Sequence, residues 1–154
     1  MNNISELKEI FLQLAHNRIL IVTLLVWVVG QFIKIVTNLI RGKRFNFKWL
    51  IGTGGMPSSH AAGVAALATA CGIEFGFHSG FFALAAIFAM VTMFDAQGVR
   101  RSTGEQAEIL NRVVDDMYFH QKVDMIRIRE FVGHTPFQVL VGSLLGIGLT
   151  VLFY

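Results

Sequence analysis

Apolar residues gather in four stretches of this chain, at about 19–40, 61–77, 80–94 and 137–154, with polar segments between them. The first is long enough to cross a bilayer alone. The other three, about 15 to 18 residues each, lie near or just under the ~17–25 residues of a spanning helix. Ahead of them, Ile4, Leu7, Phe11 and Leu14 recur at helical spacing in "MNNISELKEIFLQLAH", which predicts an N-terminal amphipathic helix. Within the long polar segment 95–136, Ile109, Leu110, Val113, Val114 and Met117 fall at i, i+1, i+4, i+5 and i+8. That pattern predicts a second amphipathic helix, packed on the bundle or lying in the membrane interface. A short helix is expected at about 123–132, before "GHTP" breaks the pattern. The expectation is an all-α integral membrane helical bundle: one domain, 1–154, with about four spans and a helical cytoplasmic insert at about 102–130.

Composition agrees. Of 154 residues, 54% are hydrophobic and 15% charged, against roughly 25% charged in a soluble domain. The pI near 9.4 would fit a nucleic-acid partner if the basic residues lay on a soluble domain, but they do not. Ten of the thirteen Lys and Arg fall in two loops: Arg41, Lys43, Arg44 and Lys48, then Arg100, Arg101, Arg112, Lys122, Arg127 and Arg129. Two spans separate these loops, so both face one side, which the positive-inside tendency makes cytoplasmic. The second loop is neutral on balance, because six acidic residues from Glu105 to Glu130 match its six basic ones. No signal-peptide cleavage site follows the first apolar run, so that span is expected to be retained. The single cysteine, Cys71, excludes an intrachain disulfide. Small residues in "AAGVAALATACG" would permit close helix contacts, including self-association into a homo-oligomer. Glu74 is expected at the outer interface or against a partner.

Candidate chemistry sits in four pieces that this topology brings to one face. "GTGGMPSSH" (52–60) reads as a glycine-rich turn and a serine-capped helix start with His60 in its first turn, an arrangement suited to an anion. Gln31, Lys34, Asn38 and Arg41 line one helical face at intervals of three, four and three, with Lys34 and Arg41 about 10 Å apart along the axis. "FVGHTPFQVLVGSLLG" (131–146) puts His134 before the last span and Gly142 and Gly146 in a close-packing pair. "FDAQGVRR" supplies Asp95, Arg100 and Arg101. Lysines, arginines and helix-end amides bind a phosphate dianion, and two histidines supply a nucleophile and a proton donor. No H-x-x-x-H, C-x-x-C or carboxylate-rich spacing points to a metal, so neither metal nor cofactor is expected.

These residues resemble the type 2 phosphatidic acid phosphatase superfamily, which includes the vanadium haloperoxidases, and in particular its small divergent branch. The superfamily pattern is K-x6-R-P, then P-S-G-H, then S-R-x5-H-x3-D. Lys34 to Gly42 fits the first element with Gly42 for proline, Pro57 to His60 fits the second with Ser59 for glycine, and His134 keeps the histidine of the third. Gln138 stands where the aspartate would be, and Ile128 where the arginine would be. Arg100 or Arg101 fills the arginine's role if residues 102–130 are an insertion. "GGMPSSH", "GVRR" and "GHTP" in this order mark the divergent branch.

The resemblance implies catalytic roles for His134 as nucleophile, His60 as general acid and Gln138 as the group that orients His134. It implies phosphate-binding roles for Lys34, Arg41, Ser58, Ser59 and one of Arg100 and Arg101, with Asp95 a stand-in acid. The expected function is a membrane-embedded, metal-independent lipid phosphate phosphatase acting on a phosphatidylglycerophosphate or phosphatidic acid type of monoester from the cytoplasm. The alternatives are a catalytically weak or inactive relative that binds lipid phosphate head groups, and a polyprenyl diphosphate phosphatase. A transporter or scaffold has little support without an inverted repeat. The expected partners are a lipid phosphate substrate and the membrane, with no nucleic acid.

Overall fold

The computed structural model describes residues 3–40, 55–118 and 134–154, and every regular element among them is an α-helix. These are α1 (Asn3–His16), α2 (Arg18–Ile40), α3 (Ser59–Phe75), α4 (Gly80–Gln97), α5 (Val99–Tyr118) and α6 (Pro136–Phe153). Arg41, Gly42, Ile128 and the short helix expected at about 123–132 lie outside the described residues.

Local chemistry sets the helix starts. Asn17 Oδ1 accepts the Leu20 N–H at 3.0 Å, Ser58 Oγ the Ala61 N–H at 3.3 Å and Ser79 Oγ the Phe82 N–H at 3.1 Å. Each satisfies an amide that the first turn leaves without a helical partner. α6 begins with Pro136 and a reciprocal cap in which Thr135 and Gln138 each bond the other's backbone N–H. Gly76, at φ +85°, ends α3.

α2, α3, α4 and α6 pack as neighbours running up, down, up and down, with α3 in the middle. It packs most extensively on α6, then on α2 and α4, whereas α4 and α6 touch little. Small residues make this possible. Ala61, Ala62, Ala65, Ala66 and Ala70 of α3 are buried, and α6 approaches so closely that a Cβ on Gly142 would run into the Ser58 carbonyl oxygen and one on Gly146 into that of Ala62. The small face of α3, which the sequence offered for contacts between copies, is thus used inside the chain. Large side chains such as Phe81, Leu84, Ile87 and Phe88 of α4 point outward and are exposed, as in a bundle solvated by lipid.

Three segments are long and apolar enough to cross a membrane: Arg18–Ile40, a stretch within Gly80–Val114, and Pro136–Phe153. The sequence reading expected about four. α3 has 17 residues, about 25 Å at helical rise, short of the ~30 Å hydrocarbon core. Its central place accounts for this, since three neighbours shield it from lipid. Glu74 stands exposed near its end and accepts a hydrogen bond from the Tyr154 hydroxyl.

α5 keeps one of its two expected placements open, the membrane interface. Ile109, Leu110 and Val113 are exposed rather than packed on the bundle, and the buried stripe is Gly104, Ala107 and Asn111. At these positions the low bulk of glycine and alanine, not hydrophobicity, sets which face comes inward. The apolar face of the pattern is thus turned away from the bundle.

Candidate functional site

The N-terminal ends of α3 and α6 and the C-terminal ends of α2 and α4 meet at one end of the bundle. Three hydrogen bonds hold them there. The Ser58 N–H donates to the Gln138 carbonyl at 3.2 Å, and the His134 N–H to the Ala96 carbonyl at 3.1 Å. Thr37 Oγ1 lies 2.9 Å from both the Lys34 and the Met56 carbonyls, so its hydroxyl ties the loop before α3 to α2. Gly55 in that loop has φ +90°, a conformation that favours glycine, and lies against the aliphatic stem of Lys34.

His60 and His134 come together, with ring centroids 6.0 Å apart and planes inclined at 57°. At this separation the two rings border the same small space, as a nucleophile and a proton donor for one group must. His134 is only 1% exposed. Its Nδ1 lies 3.2 Å from Gln138 Oε1, and the same oxygen lies 3.2 Å from the Thr135 amide nitrogen. A backbone N–H only donates, so the capping contact turns the carbonyl oxygen of Gln138 towards both partners. His134 must then carry its proton on Nδ1. Its Nε2 keeps the lone pair, as a nucleophile requires.

The anion-binding candidates divide by position. Lys34 is 2% exposed and its ammonium donates to Gln31 Oε1 at 3.0 Å; Gln31 and Asn38 beside it are also buried. The face Gln31, Lys34, Asn38 is therefore turned inward as the spacing predicts, while Arg41 lies outside the described residues. Ser59 is fully buried, and its Oγ has no hydrogen-bond partner among the described residues. Ser58 Oγ is engaged as the α3 cap. Arg100 and Arg101 occupy the first turn of α5, directly after the α4 end that binds His134, and their side chains lie outside the described residues. Asp95 is half-buried in the last turn of α4. No group of three or more His, Cys, Asp or Glu gathers among the described residues.

Two contributors escaped the sequence reading. Thr37 lies beside the polar stripe rather than in it, although its position three residues after Lys34 puts it on the same side of the helix. The Ala96 carbonyl, which fixes the backbone of His134, leaves no mark in residue identity at all.

The family model of the divergent PAP2 family matches residues 15–149. A Bacillus subtilis protein described as the uncharacterized membrane protein YuiD is 39% identical over 150 residues, covering 90% of this chain and 95% of its own. No solved structure matches.

Proposed function

The chain belongs to the divergent PAP2 family and is an integral membrane protein, and on that premise we propose that it hydrolyses a lipid phosphate monoester through a phosphohistidine on His134. The observation that carries this reading is the pair of imidazoles 6.0 Å apart, one of them held through Nδ1 by Gln138. His134 Nε2 attacks phosphorus as the bond to the lipid oxygen breaks, and protonated His60 gives its proton to that oxygen. The alcohol departs. Neutral His60 then takes a proton from water, whose oxygen attacks the phosphohistidine, releasing phosphate and restoring both histidines. Lys34, Ser59, the α3 N-terminus and the arginines Arg41 and Arg100 or Arg101 neutralise the phosphoryl oxygens, and Ser58 shapes the turn that presents them. No step needs a metal.

In the bilayer, α3 completes a four-span bundle within the shell of α2, α4 and α6. The basic loops face the cytoplasm, and with them the site. α1 and the outer face of α5 lie along the interfaces. Phosphatidylglycerophosphate or phosphatidic acid fits this side better than a polyprenyl diphosphate.

Gln138 favours a second reading, in which the chain binds lipid phosphate with little turnover, since an amide cannot stabilise an imidazolium as a carboxylate does. Phosphate release from phosphatidic acid in detergent, with a chelator present, decides between them. Wild type should turn over and His134→Ala should not. His60→Ala should fail on the lipid yet recover on an aryl phosphate whose leaving group needs no proton. If wild type binds the lipid and releases nothing, the binding role stands and the enzymatic one falls.

A further inference from the structure

The bundle carries two lipid-facing grooves on either side of α4, because α4 rests on α3 and touches its other neighbours little. The larger, about 630 Å³ between α3, α4 and α6, has no ionisable side chain in its wall. The smaller, about 380 Å³, runs between α2, α3 and α4 and has His60 in its wall. From His60 the α3 side continues through Val64 to Leu67, opposite Trp27 and Thr23 of α2 and Phe88 of α4. His60 to Leu67 spans about 10 Å.

We infer that this smaller groove holds the head-group end of one hydrocarbon chain of the leaving alcohol, from Val64 onward. The inference rests on the proposed reaction. The oxygen that His60 protonates is bonded to the glycerol of such a lipid, so an acyl chain begins only a few bonds further on, about one helical turn beyond the imidazole. The wall that holds His60 is otherwise lined by apolar groups and Thr23. Trp27 and Phe88 are exposed along it, so a chain enters sideways from the bilayer without crossing the bundle. The larger groove lacks any group able to deliver a proton, and a chain lying there would draw its ester oxygen away from His60.

Trp27 makes the groove observable. The chain has two tryptophans, so Trp49→Phe leaves Trp27 as the only one. The probe is a long-chain alkyl phosphate brominated near the head group, added to the full-length protein in detergent. Quenching of Trp27 emission should saturate and be reversed by the unbrominated alkyl phosphate. Inorganic phosphate should compete only weakly. Val64→Phe, which fills the α3 wall, should weaken quenching by the alkyl phosphate about tenfold, the equivalent of excluding one or two methylenes from an apolar wall, and leave the affinity for inorganic phosphate unchanged. Leu67→Phe, further along, should weaken long chains and spare short ones. Quenching that never saturates, or filled-groove variants that bind the alkyl phosphate within twofold of the parent, overturns the inference. The readout is binding, so it stands apart from turnover. Phosphate release without quenching removes the groove and keeps the reaction, and quenching without phosphate release does the reverse.

Discussion

Gln138 is where the proposed chemistry is most exposed to test. Its Oε1 accepts from the Thr135 N–H and from His134 Nδ1, each at 3.2 Å, so one atom caps α6 and sets the tautomer of the nucleophile. Bonds of this length sit at the long end of the range and are each worth about 0.5–1.5 kcal/mol. Gln138→Leu removes both. The cap loss should cost about 1 kcal/mol of stability. The tautomer loss should cost far more in rate, bounded by the ~10⁴-fold drop when the equivalent partner in a serine protease is changed to an amide that enforces the wrong tautomer. A hundredfold to thousandfold fall in kcat, about 2.7–4 kcal/mol, is expected. Thr135→Ala removes the other half of the cap and leaves the His134 contact in place, so it should lose similar stability but keep kcat within about threefold. Gln138→Glu retains both acceptor roles and adds a charge that the α6 N-terminus tolerates. A charge-assisted bond to the imidazolium is roughly twice as strong as the neutral one, so phosphoenzyme formation should speed up by about fivefold to tenfold. Single-turnover phosphate release beside thermal unfolding in detergent measures all three. If Gln138→Leu and Thr135→Ala prove equally active, Gln138 is a helix cap and nothing more.

Other consequences follow from packing and from the opposite end of the bundle. Gly142→Ala forces a Cβ onto the Ser58 carbonyl oxygen, whereas Gly148 has nothing within 4 Å of such an atom; the first should lose about 1–3 kcal/mol in a thermal unfolding assay and the second should be neutral or slightly stabilised. Gly55→Ala keeps ordinary contact distances but meets φ +90°, so a loss of about 1–2 kcal/mol together with weaker phosphate binding is expected, the latter read by titration calorimetry. At the other end, burial, then the Glu74 hydrogen bond and charge, push the Tyr154 phenol up to about 12. A raised phenol favours the protonated form in the folded state, so its contribution is complete below about pH 10 and is lost as pH climbs through 12. Tyr154→Phe should lower the unfolding temperature at pH 8 and flatten its fall between pH 10 and 12.

Helix positions were legible in the sequence because they depend on local patterning, and the placement of the two histidines at one end of the bundle because alternate helix ends share a face. Apolar runs gave the helices to within a few residues, and Ser58, Pro136 and the polar stripe of α2 announced their own ends and faces. Which of the apolar runs falls short of a full span was not legible. Hydropathy reports composition, and α3 is apolar because it is enclosed by helices, not because it is long enough to meet lipid throughout. For α5 periodicity left two placements open, because its inward face is Gly104, Ala107 and Asn111, small or polar positions that a measure of hydrophobicity does not weigh. The double role of Gln138 was half visible. Its place four residues after His134 suggested an orienting contact, but the capping geometry that fixes its amide depends on where α6 begins.

Burial separates the two polar ends of this bundle. Arg18 lies over the Tyr154 ring at 4.7 Å, and Tyr154 bonds Glu74, yet Arg18 and Glu74 are exposed. These are anchors at a boundary, and their charges stay in contact with the interface. Lys34 looks like such an anchor in sequence, a lysine towards the end of a span. Snorkelling would carry its ammonium to water, but the side chain is 2% exposed and turned to Gln31. Ser59 and His134 are buried at the same end. Enclosing a lysine, an imidazole and the Ser59 hydroxyl, which has no hydrogen-bond partner among the described residues, in an apolar bundle costs stability that leucines there would not. Nothing in the packing requires it, since Gly142, Gly146 and the alanines of α3 already bring the helices together. Their placement is what the proposed phosphate site requires: an anion between the two imidazoles would lie within reach of the α3 N-terminus and the Ser59 hydroxyl.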